Sequence, residues 1–303
     1  MPGLPKIQLR DPFILPDPAA GLYRLYGTTA LGGPMEAPDG FVVRTSPDLR
    51  QWSEPRPVLT RSAGPNGADF FWAPEVHAYR DRWYLFASYG AGMNVVKPRA
   101  HYSAIHVAAT PDGPFAPHSD GPVTPLGWFC IDGTLHIDRA GQPWVVFVRE
   151  WTQVVNGEIH AMPLSPDLRR PAGEPRLLFR ASSAPWSLVQ KSDFGEGYRV
   201  TDGPWLHRTA AGTLLLLWST FGRGGYVTGF ARSLSGDILG PWEQAPTPLF
   251  AHDGGHPMLF RDFKGRLILA LHAPNQPLHE RVHLLPVQET ADGLKLASAG
   301  RGI

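Results

Sequence analysis

A chain of 303 residues with 43% hydrophobic content is long enough for a sizeable core and too apolar to be disordered as a whole. Its 33 Gly and 32 Pro suit many short elements joined by turns and speak against a helical bundle, since Pro is poorly tolerated inside helices and central strands. With 28 Lys+Arg against 27 Asp+Glu, no long basic run and no 18-residue apolar stretch, neither nucleic acid nor a membrane is an expected partner. The single Cys130 excludes an internal disulfide and a Cys-based zinc site. The first residues lack an apolar signal core, so a cytoplasmic location is expected, or a secreted one if a leader has been removed.

Five segments open on a short motif. In chain order they are Arg10-Asp11-Pro12-Phe13-Ile14, Ala73-Pro74-Glu75-Val76, Ile131-Asp132-Gly133-Thr134-Leu135, Thr201-Asp202-Gly203-Pro204-Trp205 and Gly255-His256-Pro257-Met258-Leu259. Taking Asp11, Ala73, Asp132, Asp202 and His256 as equivalent, the steps are 62, 59, 70 and 54 residues. A turn follows each opening, at Gly21, Asp81, Gly141, Gly212 and Gly265. Strand-sized apolar runs come next, at 22–26, 83–87, 144–148, 214–218 and 267–271, and each pair of runs reads as a hairpin.

A third run follows in every unit, at 41–44, 103–108, 158–162, 226–231 and 282–285. Corners rich in Pro and Asp and a short fourth run close the first four units, as at 58–59, 177–179 and 249–250. Four strands in each of five units, with no convincing helix and no interdomain linker, predict an all-β fold: one five-bladed β-propeller spanning 1–303.

The first strand of a propeller blade lines the central channel, so equivalent positions converge on the axis. Three of the five here are Asp (Asp11, Asp132, Asp202) and a fourth is His256. Carboxylates gathered in one funnel repel one another, and function is the usual reason for such an arrangement.

These motifs carry a resemblance. Arg10-Asp11-Pro12-Phe13-Ile14-Leu15, Phe71-Trp72-Ala73-Pro74-Glu75-Val76-His77, Cys130-Ile131-Asp132-Gly133-Thr134-Leu135 and Asp253-Gly254-Gly255-His256-Pro257-Met258 resemble, in blade order, the signatures of glycoside hydrolase family 43. The resemblance implies an exo-acting, inverting hydrolase that releases α-L-arabinofuranose, β-D-xylose or β-D-galactofuranose from oligosaccharides. It implies Asp11 as the general base and Asp132 as the carboxylate that orients the acid and raises its pKa. Where the family carries Glu-Gly-Pro, with Glu as the acid, this chain reads Asp202-Gly203-Pro204, one methylene shorter. Asp202 is therefore the first candidate for the acid, with Glu75 and Glu196 as alternatives.

Trp72, Phe71 and Trp128 flank the channel motifs and are candidate sugar platforms, with Phe129, Trp151 and Trp186 close by in sequence. Arg149 and Arg223 follow second strands and are candidate hydroxyl donors. His256 is expected near the axis, in contact with water or beside a hydrated calcium or sodium ion; no ligand spacing marks a dedicated metal site. A glycoside phosphorylase is the alternative, but no compact Arg, Lys or His cluster for phosphate is visible. A non-catalytic sugar-binding propeller is the second alternative, kept open by the Glu-to-Asp departure.

Overall fold

A computed structural model describes residues 7–29, 40–65, 67–91, 100–192 and 195–297. Its chain folds into five four-stranded antiparallel sheets taken in sequence order. Blade one is β1 (Arg10–Asp17), β2 (Leu22–Thr28), β3 (Gly40–Ser46) and β4 (Arg56–Thr60). Blade two is β5 (Phe70–Tyr79), β6 (Arg82–Ala91), β7 (Ala100–Ala108) and β8 (Ala116–Pro117). Blade three is β9 (Cys130–Ile137), β10 (Pro143–Arg149), β11 (Glu158–Pro163) and β12 (Arg176–Arg180), with a four-residue helix α1 (Trp151–Val154) between β10 and β11. A small hairpin, β13 (Gln190–Ser192) and β14 (Gly195–Tyr198), precedes blade four, which is β15 (Asp202–Arg208), β16 (Leu214–Gly222), β17 (Gly225–Ser233) and β18 (Trp242–Gln244). Blade five is β19 (Gly255–Arg261), β20 (Leu267–Ala273), β21 (Arg281–Thr290) and β22 (Gly293–Leu296). Five blades in this order are the expected propeller.

The first strands β1, β5, β9, β15 and β19 contact one another around the axis. Second strands carry continuous apolar runs because both of their faces meet neighbouring blades. Leu214 to Trp218 of β16 are all at most 1% exposed, and each such side chain contributes about 1.5–3 kcal/mol of burial. Polar ties cross the blade one–two junction: Arg24 reaches Asp112 at 2.9 Å and the Tyr26 hydroxyl donates to the Pro111 carbonyl at 2.6 Å.

One detail differs from the sequence reading, and one that it left open is settled. The fourth strand of blade four is Trp242–Gln244; Phe250 makes only an isolated bridge to Thr228, because residues 245–249 run as a Pro-rich crossing over Phe230. Ring closure, which the repeat left open, uses no shared strand among the described residues. Blade five is complete within 255–296, and β1 packs directly on β19 and β20. A single bridge from Gln8 to Arg281 and the buried Ile7 and Leu9 seal the seam.

Candidate active site

Each first strand bulges where it enters the channel. The pairing registers slip between Arg10 and Phe13, Trp72 and Glu75, Asp202 and Trp205, and Gly255 and Met258, and β9 slips against β10 in the same place. Every bulge holds one residue at positive φ: Asp11 (50°), Ala73 (47°), Asp132 (57°), Gly203 (50°) and His256 (54°). Non-Gly residues rarely occupy this region, and such strain is held only where the surroundings over-determine it. Here they do. The Asp11 N–H donates to His272 Nδ1, that of Ala73 to Thr28 Oγ1, that of Asp132 to Ser88 Oγ, and that of His256 to Ser219 Oγ. All four acceptors sit on the second strand of the preceding blade.

Blade four corrects the repeat. Its positive-φ residue is Gly203, so Asp202 stands one position earlier than Asp11, Asp132 and His256. A Cβ on Gly203 would lie 2.8 Å from His256 Cα and 2.9 Å from its Cγ, which excludes a side chain there. The acceptor also changes. Val148 occupies the second-strand position in blade three and offers no oxygen, so the Gly203 N–H donates to Asp132 Oδ2 at 3.0 Å.

The bulges deliver their side chains to one point. His256 Nδ1 lies 3.3 Å from Asp11 Oδ1, 3.5 Å from Asp202 Oδ1 and 3.9 Å from Asp132 Oδ2. Asp11 and Asp202 are thereby held within about 7 Å of each other, close enough to act on one glycosidic bond. Burial acts to lower the His256 pKa, but the three carboxylates outweigh it and raise it to about 10, so the ring is an imidazolium at neutral pH. Burial also acts to raise Asp11; the charges of His256 and Arg10 prevail and leave it below the usual carboxylate range, ionised. Its Oδ2 accepts from the Thr28 hydroxyl at 2.6 Å. Asp132 is pushed well above the usual range by burial and by the charge of Asp202, and Asp202 is held low. These opposite directions describe one proton retained by a pair of touching carboxyls. Tyr226, itself fully buried, donates its hydroxyl to Asp202 Oδ2 and stacks on His272 at 5.8 Å.

Around this cluster lies a cavity of about 180 Å³. Arg10, Trp72 and Ile131 complete its lining with the three Asp and His256. Trp72 stacks on Phe70 at 4.8 Å and meets His101 edge-on at 5.2 Å. A larger hollow of about 310 Å³ between blades four and five gathers no catalytic constellation; Asp292 and Lys295 are its only charged residues.

Other expected residues are placed elsewhere. Phe71 packs into the blade one–two core against Phe41 and Tyr89. Trp128 is covered by the Arg149 guanidinium at 4.0 Å, and Arg149 is further tied to Gln153. Arg223 sits in the exposed β16–β17 turn, outside the cavity lining. Trp151 stacks on Tyr198 at 3.7 Å and Trp186 packs tilted against Trp218 at 4.7 Å, both outside that lining. Glu75 bonds His77 Nε2 at 2.8 Å and does not line the cavity, so it is not placed to serve as the acid. The Glu196 side chain lies outside the described residues; its backbone belongs to β14. Arg10, Thr28, Tyr226 and His272 are site residues that the motifs did not single out. Thr28, Ser88, Ser219 and His272 all follow an apolar run, a recurrence that is visible in the sequence.

Asp132, Asp202 and His256 offer ligand atoms within 4.8 Å of one another, the set a metal ion would use. Metal ligation requires a deprotonated imidazole. Direct ligation through His256 Nδ1 would require that nitrogen to give up its proton, whereas a hydrated calcium or sodium ion held by the carboxyls would not.

The model of "Glycosyl hydrolases family 43" matches residues 5–295. The chain belongs to glycoside hydrolase family 43. The enzyme is a glycoside hydrolase that acts on carbohydrate. Its fold matches the crystal structure of an endo-arabinase from Bacteroides thetaiotaomicron at 38% identity and a TM-score of 0.82, covering 95% of this chain and 97% of that one. An exo-1,5-α-L-arabinanase from a bovine ruminal metagenomic library (19% identity, TM-score 0.69, 97% of each chain) shares the fold, as does an α-L-arabinofuranosidase from Lactobacillus brevis (19%, 0.72, 95% and 93%). None of the curated proteins compared with the chain matches it.

Proposed function

We propose that the enzyme releases single α-L-arabinofuranosyl units from arabinan-like oligosaccharides with inversion. One observation carries this reading: a base, a proton-sharing carboxyl pair and an imidazolium converge in a cavity of about 180 Å³. That volume is comparable to a void of about 150 Å³ that takes one six-membered ring. Asp11, ionised by its neighbours, removes a proton from the attacking water. The Asp132–Asp202 pair supplies the proton to the leaving oxygen through Asp202, whose side chain is 22% exposed against 6% for Asp132. His256 holds the three carboxyls together and takes no proton from substrate. No metal is part of this reading.

Linear arabinan and the nitrophenyl glycosides of arabinofuranose, xylose and galactofuranose test it, with and without phosphate. Arabinose as the sole early product, of inverted configuration by NMR and unaffected by phosphate or a chelator, is the expected result. A phosphate requirement would assign a phosphorylase, and no turnover would assign a binding module. A chain-cutting mode is the second reading, favoured by the 38% identity to an endo-arabinase; internal fragments from arabinan would establish it. Asp202→Asn should slow natural oligosaccharides by about 10²–10⁴-fold and nitrophenyl glycosides far less, because nitrophenolate leaves nearly unaided. Glu196→Gln showing that dependence in its place would move the acid.

A further inference from the structure

Among the charged residues that line the pocket, Arg10 alone neither transfers a proton nor holds the carboxyls together. It immediately precedes the base and pairs with Thr28 across β1 and β2. Its Nη1 donates to Glu280 Oε1 at 2.8 Å and to Asn275 Oδ1 at 3.0 Å. Glu280 is fully buried and would be a strongly unfavourable lone charge without this partner. Asn275 Oδ1 also faces His272 Nε2 at 3.3 Å, and His272 Nδ1 accepts the Asp11 N–H. One network thus fixes both the guanidinium and the base.

Both bonds fall on a single terminal nitrogen. Nε and Nη2 have no protein acceptor among the described residues, and the side chain stays 23% exposed on the cavity wall. A planar guanidinium locked along one edge presents its remaining donors as a fixed fork, and such a fork is matched by two neighbouring oxygen acceptors. Locking it beforehand removes most of the rotamer entropy that a free Arg would lose on binding. The only other cation on the wall among the described residues, His256, is committed to carboxylates.

We infer that Arg10 is the specificity-determining residue for the terminal sugar, donating through Nε and Nη2 to one or two hydroxyl oxygens on the side that faces Asp11. This rests on the glycosidase reading above. A site built to hydrogen-bond a hydroxyl rejects the analogue lacking it strongly, because the buried donors are then left unpaired.

The test uses the aryl glycoside that the wild type cleaves best and its three monodeoxy analogues, one per hydroxyl. Wild type, Arg10→Lys and the double variant Arg10→Met/Glu280→Gln are compared, the last removing both partners of the buried pair so that the fold persists. Wild type should lose about 10²-fold or more in kcat/KM on one analogue. The double variant should show less than about threefold discrimination between that analogue and the parent, with an intermediate value for Arg10→Lys. Discrimination kept by the double variant, or a uniform fall on all four substrates, overturns the inference. If wild type cleaves no glycoside, the functional reading fails separately. The same variants titrated with the parent and deoxy methyl glycosides, read by tryptophan fluorescence, then decide the role of Arg10 in binding by the same criterion.

Discussion

Four of the five blade junctions and the remaining one solve the same problem differently. At four, the strained bulge N–H is accepted by a side chain of the preceding second strand: Thr28, Ser88, Ser219 or His272. At the blade three–four junction Val148 stands in that place, and the Gly203 N–H is accepted by Asp132. Scaffold and chemistry are carried by separate residues at the first four and by one carboxyl at the fifth. Asp132 therefore has to be oriented and retained whether or not it reacts. Its accepted N–H fixes the position of Oδ2.

Separating the two duties of Asp132 gives the largest expected effect. Asp132→Asn keeps an acceptor for Gly203 and removes the shareable proton, so kcat should fall about 10²–10⁴-fold with little change in unfolding free energy. Asp132→Ala should lose the same activity and also about 1–3 kcal/mol of stability, measured by urea denaturation, because a buried N–H is orphaned. Equal stability of the two variants would break the comparison. Next in size, Ser88→Ala and Ser219→Ala should each cost about 1–3 kcal/mol in the same assay while kcat/KM changes less than about tenfold. A catalytic loss as deep as that of Asp132→Asn would show that scaffold and chemistry are not separate at those junctions.

A smaller effect sharpens the contrast from the other side. Val148→Thr places a hydroxyl where blades one, two and four have one. In the Asp132→Ala background it should restore about 1 kcal/mol of stability and no activity. The last expectation concerns pH. The folded-state pKa of His256 is raised from 6.5 to about 10, so its stabilisation is complete below about 6.5 and is lost as pH rises through 10. The gap in melting temperature between wild type and His256→Gln should therefore narrow steadily from pH 6.5 to 10. A gap independent of pH would mean that the ring is not charged in the fold.

Legibility followed backbone constraint. Asp11, Asp132 and His256 could be aligned from sequence because the bulge recurs and fixes their spacing to the turn that follows. Asp202 slipped by one because only a glycine fits against His256, a contact between blades that no local pattern records. The channel Trp was legible at Trp72, which adjoins a bulge. Trp128, Arg149 and Arg223 were not, because they stand outside the repeat and their direction depends on α1 and on turn geometry. Blade four's last strand was misplaced for a related reason: the apolar pair 249–250 packs over its neighbour without joining the ladder.

One junction is crossed by no covalent connection among the described residues. At the blade five–one seam the ring is held by the packing of β1 on β19 and β20, joined by the Gln8–Arg281 bridge, the Arg10–Glu280 pair and the Asp11–His272 bond. Local openings in proteins follow the weakest cooperative unit and precede global unfolding. Should the ring part at this seam, it parts beside the base, and catalysis stops while the five sheets are still intact. The amide of Asp11 is then a clock for that event. Its deuterium uptake counts openings of the seam, whereas the amide of Asp132, tied to Ser88 across an unbroken chain, counts the loss of the whole fold.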